Sequence, residues 1–252
     1  MANIPISIQL YTVRTLTETD FPAAMKQIAA IGYRYVELAG FGNLKSPAAA
    51  RKALDDAGLK ASGCHVQLER LADINQVADE ADILGHQQVI VPWIKPELRT
   101  ADGYKYLATQ LNAAAPVLQK RGKELSYHNH DFDSHLIAGR PALDIFFDTA
   151  NPNLIKFELD VFWAKLGGVD PVTYLQKLGN RVTNLHLKDQ AKTDPSKFAE
   201  VGEGTLDFPA IMAAAAKLGV KFGVVEQDDC YGKNPLDVIR TSLTNLKRMH
   251  LA

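Results

Sequence analysis

The chain has 252 residues, 46% of them apolar and 23% charged, with 28 Lys and Arg against 29 Asp and Glu for a net charge of −1. That balance argues against a dedicated nucleic-acid or anionic-membrane binder, since either needs a basic face. Its 2 cysteines cannot build a disulfide scaffold, no apolar run approaches the ~18 residues that span a bilayer, and the start, Met1-Ala-Asn-Ile-Pro-Ile, carries no basic-then-apolar leader, so the expectation is a cytoplasmic protein with reduced thiols.

From Ile6 onward, short β-rich runs alternate with longer stretches of helical spacing. The runs are Ile6–Leu10, Tyr35–Leu38, Ala61–His65, Gln88–Val91, Glu124–His128, Ile155–Leu159, Val182–Leu187 and Phe222–Glu226. Asp20 with Pro22 predicts the start of a helix over Phe21–Ile31, and Ser46-Pro47 opens the next one. Gly32, Gly58, Gly85, Gly122, Gly179 and Gly219 each fall between a helical stretch and the following strand, where a left-handed cap favours glycine. No linker or charge block marks a boundary, so one domain over 1–252 is expected. Eight βα units in 252 residues predict an α/β fold, a (β/α)8 TIM barrel. A doubly wound sheet would carry a glycine-rich loop after its first strand, where Gln9-Leu-Tyr-Thr-Val-Arg14 stands instead.

Polar residues collect at the C-terminal ends of these strands, which is where barrels place functional groups. They are Gln9, Glu37, His65, Trp93, His128, His130, Glu158, Asp160, His186, Lys188, Glu226 and Asp228. Residues two apart on a strand share a face. His128 therefore pairs with His130, Glu158 with Asp160, His186 with Lys188, and Glu226 with Asp228, while Phe157, Leu159, Leu185 and Leu187 point the other way. Carboxylates and imidazoles converging on one cavity repel or stay unsatisfied unless a cation joins them. Two carboxylates with one or two imidazoles suit Mn²⁺, Zn²⁺, Co²⁺ or Fe²⁺, and oxygen-rich variants suit Mg²⁺. The bland alternatives are a core histidine at His65, ion pairs of Glu158 and Asp160 with Lys156 and Lys188, and Lys188 as a simple neutraliser. His86, His135 and His250 read as surface residues, Cys64 as barrel packing, and Trp93 and Trp163 as flat faces suited to sugar rings. Gly202-Glu-Gly204 is a weak candidate phosphate cradle.

The runs Tyr127-His-Asn-His-Asp131, Phe157-Glu-Leu-Asp-Val-Phe-Trp163, Leu185-His-Leu-Lys-Asp189, Val201-Gly-Glu-Gly-Thr205 and Val225-Glu-Gln-Asp228 together resemble the xylose isomerase-like TIM barrel superfamily, across essentially the whole chain. The resemblance implies a metal site with a Glu on strand five, an Asp on six, a His on seven and a Glu on eight. Asp160, His186 and Glu226 match the last three, and His128 stands where the superfamily usually has the glutamate, a departure that changes the proton-transfer arrangement. Glu158 or His130 is then the candidate acid/base, with His65, Glu37, Trp93, Lys188 and Gln9 binding substrate. Trp163 replaces a further metal-binding His of the endonuclease members, which argues against DNA repair.

The implied activity is a metal-dependent isomerase or epimerase acting on a keto-sugar or related polyol through an enediolate. The alternatives are a lyase or dehydratase of a 3-keto-sugar or keto-inositol on the same barrel, and a sugar-binding barrel without catalysis. The expected partner is a small-molecule carbohydrate, with no nucleic acid or membrane, and the sequence leaves a homo-oligomer open.

Overall fold

A computed structural model of the chain describes residues 4–252. Eight parallel strands close into a barrel in chain order: β1 (Ile6–Gln9), β2 (Tyr35–Leu38), β3 (Lys60–His65), β4 (Gln88–Val91), β5 (Glu124–His128), β6 (Ile155–Asp160), β7 (Val182–Leu187) and β8 (Phe222–Val225). β8 closes on β1 through the pairs Ile6–Gly223 and Ile8–Val225. Each expected run lies within one residue of its strand at either end. Parallel neighbours need crossovers, and these are supplied by α1 (Arg14–Ile31), α2 (Pro47–Ala57), α3 (Ile74–Leu84), α4 (Ala101–Lys120), α5 (Ala142–Thr149), α6 (Val161–Leu166), α7 (Pro171–Leu178) and α8 (Phe208–Leu218), with α9 (Pro235–Arg248) following β8.

Local signals explain these boundaries. Ser46 Oγ accepts from the Ala49 N–H and caps α2. α1 begins earlier than expected, at Arg14, and breaks at Asp20 (φ −153°, ψ 91°). Asp20 Oδ1 accepts from the Ala23 N–H at 3.0 Å, so the expected cap is present inside a longer helical stretch. At the end of α8, Gly219 adopts φ +75° and its N–H bonds the Ala215 and Ala216 carbonyls.

The outward strand face packs under the helices. Tyr127 and Phe157 meet Phe146 and Phe147 of α5 and its end, with ring centroids 5.1 Å (Tyr127–Phe146) and 5.3 Å (Phe147–Phe157) apart. The barrel interior is polar, where branched aliphatic layers are usual. Ser7 Oγ bonds Ser62 Oγ at 2.7 Å, Gln9 Nε2 donates to Glu37 Oε1 at 2.8 Å, and Gln88 Nε2 donates to Glu124 Oε2 at 2.8 Å. Gly63 makes room for this layer, because a β-carbon there would lie 3.1 Å from Glu37 Oε2 and 2.9 Å from Ile90 Cδ1.

The Gly202-Glu-Gly204 loop is already occupied by a carboxylate of the chain itself. The Gly202, Gly204 and Leu206 N–H groups donate to Asp189 at 2.9, 2.8 and 3.1 Å, so those donors are not free for a phosphate. A β-carbon on Gly204 would collide with Asp189 Oδ1 and the Gln190 carbonyl. Gly204→Ala is therefore expected to destabilise the fold by about 1–3 kcal/mol, read as a lower urea midpoint at unchanged slope. A wild-type midpoint would mean that the loop and Asp189 separate freely.

Candidate active site at the barrel mouth

Strand register assembles the site. It pairs Gln9 with Glu37, His128 with Glu158, and Asp160 with His186 across neighbouring strands. Glu158 is the hub. Its Oε2 lies 3.1 Å from His65 Nε2, 3.2 Å from His128 Nδ1 and 3.1 Å from His186 Nε2, and its Oε1 accepts from Asn184 Nδ2 at 3.2 Å. Glu37 Oε1 lies 3.0 Å from His65 Nε2 and 2.8 Å from His186 Nε2. His186 Nδ1 is 2.7 Å from Glu226 Oε2. The Lys188 ammonium sits among Asp160, Glu226 and Asp228 at 3.0, 2.7 and 2.8 Å. Asp160 also caps α6, its Oδ1 accepting from the Phe162 and Trp163 N–H groups. The Asn129 side chain brackets the Asp160 backbone, accepting from its N–H at 2.9 Å and donating to its carbonyl at 3.3 Å.

These contacts set the charge states. Burial opposes the charge on His186, but Glu158, Glu226 and Glu37 outweigh it and hold the ring well above the usual imidazole range. His65 is likewise pushed up to about 9 by Glu37 and Glu158 against burial. Burial would raise Glu158, yet the His186 charge and bonds from three imidazoles hold it well below the usual carboxylate range. Glu226 is held low against burial by Lys188 and His186. Burial and the neighbouring His186 lower His128. Burial, with His128 and Lys188 nearby, holds His130 well below the imidazole range. Burial outweighs Lys188 at Asp228 and lifts that carboxyl to about 6.

The mouth is a cavity of about 510 Å³ whose wall includes His65, Trp93, His128, His130, Lys188 and Glu226. Gln9, Glu37, Glu158, Asp160 and His186 are fully buried and lie beneath that wall. Glu37 and Gln9, expected to bind substrate, are fully buried, with Glu37 meeting His65 and His186 and Gln9 donating to Glu37. Glu158, expected as a candidate base, is enclosed by four donors. Lys188 is 1% exposed and acts as the cation among three carboxylates, the neutralising role weighed above. His86, expected at the surface, is buried ahead of β4, and burial lowers it to about 4. His135 and His250 are exposed. Cys64 is buried in the core. His130 is stacked between Phe132 and Trp163, with centroids 5.4 and 5.7 Å away.

Sequence reasoning missed Asp133. This buried carboxylate accepts from Tyr104 Oη at 2.6 Å, Tyr127 Oη at 2.9 Å and the His130 N–H at 2.7 Å, and so fixes the His130 loop. Burial outweighs those bonds and lifts it to about 7. Its signal was the i, i+3 spacing from His130, a side-chain cap pattern.

His128, Asp160, His186 and Glu226 each offer a ligand atom within 4.8 Å of the others. Bonds of ~2.0–2.1 Å to a divalent ion set neighbouring donors ~3 Å apart, so the set suits such an ion after small shifts. Two carboxylates and two imidazoles fit a first-row transition metal. Glu158 beside His128 Nδ1 leaves Nε2 facing Asp160, the outer-layer orientation that metal-binding histidines use.

Two outcomes follow from these charges. Lys188→Met leaves Asp160 and Asp228 without their cation and Glu226 with His186 alone. It is expected to cost about 3–5 kcal/mol of stability in metal-free protein and to raise affinity for Zn²⁺ in a chelator competition; unchanged Zn²⁺ affinity would mean that the ammonium and the ion do not compete. Asp133 has a folded value near 7 against an unfolded value of ~3.9. It stays protonated in the fold while the unfolded chain ionises, so its contribution to stability falls as pH rises from about 4 to about 7 and is level above. Subtracting the Asp133→Asn unfolding profile from the wild-type one is expected to expose that decline, and parallel profiles would refute it.

The family model described as xylose isomerase-like TIM barrel matches residues 25–249. A sugar phosphate isomerase/epimerase from Parabacteroides distasonis superposes with a TM-score of 0.84 at 25% identity, covering 97% of this chain and 98% of that one. An IolI protein bearing a zinc atom superposes with a TM-score of 0.73 at 14% identity, covering 97% of each chain, a likeness of fold alone. The inosose dehydratase of Geobacillus kaustophilus is 26% identical over 148 residues, which are 51% of this chain and 47% of that relative, so the match spans about half its length. With this match over most of its length and a closed parallel barrel carrying the polar strand ends, the chain belongs to the xylose isomerase-like TIM barrel family.

Proposed function

We propose that the chain is a metal-dependent enzyme that removes the proton next to the carbonyl of a neutral keto-sugar or related polyol and returns it elsewhere, an isomerase or epimerase. The observation that carries the reading is the cluster of His128, Asp160, His186 and Glu226 within 4.8 Å of one another, with His128, Glu226 and His130 on the wall of the mouth cavity. A divalent ion held by the first four would supply Lewis-acid polarisation of the carbonyl. His130 is the base. It lines the cavity, and its low affinity for protons keeps it neutral near pH 7. Asp228, which lines the same cavity, is the second proton-handling group. Glu158 is an anchor that orients His65, His128 and His186. The Lys188 ammonium is engaged by three carboxylates and the Gly202 and Gly204 amides by Asp189, so a phosphate finds no free cradle in either. That favours an unphosphorylated sugar.

A second reading is dehydration, favoured by the inosose dehydratase relative. It begins with the same proton removal and ends with a β-hydroxyl leaving as water. One experiment tests both. Metal-loaded enzyme is incubated in heavy water with keto-sugars and keto-inositols and followed by NMR. Deuterium is expected at the carbon next to the carbonyl, with a new stereoisomer for epimerisation and an unsaturated product for elimination. His130→Gln is expected to slow the exchange by about 10²–10⁴-fold at unchanged metal content. Wild-type exchange in His130→Gln together with lost exchange in metal-replete Glu158→Gln would make Glu158 the base.

A further inference from the structure

Three imidazoles surround one carboxylate oxygen beneath the mouth. Glu158 Oε2 lies 3.1 Å from His65 Nε2, 3.2 Å from His128 Nδ1 and 3.1 Å from His186 Nε2. One donor from each of these four residues falls within 4.8 Å of the others. Ligands bonded to Zn²⁺ at ~2.0–2.1 Å in a tetrahedron stand roughly 3.3–3.4 Å apart, and the three contacts of the carboxylate are already close to that spacing. The charge agrees. Glu37 Oε1 lies 3.0 Å from His65 Nε2 and 2.8 Å from His186 Nε2, so two carboxylates serve the three rings, and their two negative charges match one divalent cation. His128 Nδ1 is buried and, although it is 3.2 Å from Glu158 Oε2, it is not aligned for a hydrogen bond. A lone pair aimed at the centre of a tetrahedral shell points off the line to the next donor, so a shared ion satisfies a nitrogen that a direct hydrogen bond does not.

The upper set of His128, Asp160, His186 and Glu226 differs in one respect, because it already holds a cation. Lys188 Nζ lies 3.0 Å from Asp160 Oδ2 and 2.7 Å from Glu226 Oε2, so an entering ion meets an ammonium at its own oxygens. Among the described residues, Glu37 and Glu158 pair with imidazoles and with no Lys or Arg. The two sets also share rings. His128 has Nδ1 beside Glu158 and Nε2 3.9 Å from Asp160, and His186 has Nε2 beside Glu158 and Nδ1 2.7 Å from Glu226. A neutral imidazole carries one lone pair and one N–H, so a ring that binds an ion through one nitrogen offers a proton at the other, and an ion in one set disarms the other.

We propose that His65, His128, Glu158 and His186 form a second seat for a divalent transition ion, below the upper set, and that without substrate a zinc ion rests there. Three nitrogens and one oxygen are a zinc-type donor set. The seat stands on its own donors, whatever the mouth acts on. Its link to catalysis rests on the proposed function: two substrate oxygens complete the upper set and draw the ion to it. Lys188→Met frees the upper donors, which is how it raises affinity for Zn²⁺.

His65 belongs to the deep seat alone and Asp160 to the upper set alone. Metal-free protein is titrated with Zn²⁺ against a competing chelator. His65→Ala is expected to weaken binding by at least about 100-fold, the upper end of what loss of an outer partner costs, while Asp160→Asn binds as wild type does. A His65→Ala protein with wild-type Zn²⁺ affinity overturns the deep seat. A second measurement needs no variant to fold. Crystals of the wild-type chain grown with Zn²⁺ and no substrate are expected to show anomalous density at ~2.0–2.2 Å from His65 Nε2 and Glu158 Oε2. Density bonded to Asp160 and Glu226 in their place overturns the deep seat and leaves the proposed function standing, whereas an absence of deuterium exchange in any keto-sugar overturns that function and leaves the deep seat standing.

Discussion

Everything at the mouth depends on balancing buried charge. Glu37, Glu158, Asp160 and Glu226 are nearly or fully excluded from water, and a lone buried carboxylate would be prohibitively costly. The barrel solves this by interleaving. Each acid meets an imidazole or the Lys188 ammonium, and Gln9, Asn184 and backbone N–H groups add further donors, while Glu37 Oε2 is left without a partner. No member can be removed without stranding another, which is why the arrangement is specific in geometry even where it contributes little net stability.

The scaffold enforces that geometry. Asp160 is held by its own helix cap and by Asn129, so its second oxygen is aimed by the backbone of two elements. Glu158 fixes the ring of His128, and Asp133 fixes the loop that carries His130. The polar layers lower in the barrel, with space left at Gly63, let Glu37 reach under two histidines at once. Side chains locked in this way lose little entropy when a ligand arrives.

The imidazole of His128, where the resemblance leads one to expect a carboxylate, changes the charge of the centre. A neutral imidazole in place of a carboxylate makes this cluster one unit less negative, and Lys188 reduces it further. The site then separates into two layers, with Glu37, Glu158, Asp160 and His186 below and His65, His128, His130, Lys188, Glu226 and Asp228 facing the cavity above. The same separation explains why Glu158, adjacent in sequence to the Asp160 site, acts as an anchor in this arrangement.

Much of this was legible in the chain alone. The eight strands follow from β-rich runs and helix caps, which are local properties of backbone and side chain. The inward set of His128, Glu158, Asp160, His186, Lys188 and Glu226 follows from two-residue alternation, also local. Depth was not legible. Whether Gln9 and Glu37 reach the cavity or sit beneath it depends on strand stagger and on which ring lies across them, and these are long-range facts of barrel closure. Asp133 and Asp189 were missed or misread for the same reason: their partners Tyr104, Gly202 and Gly204 are brought to them only by the fold. His86 carries no sequence mark of burial, because its environment is set by packing ahead of β4. Local sequence determined the elements and the direction each side chain points, and tertiary structure alone decided which charges meet, because an ion pair is a distance between residues far apart in the chain.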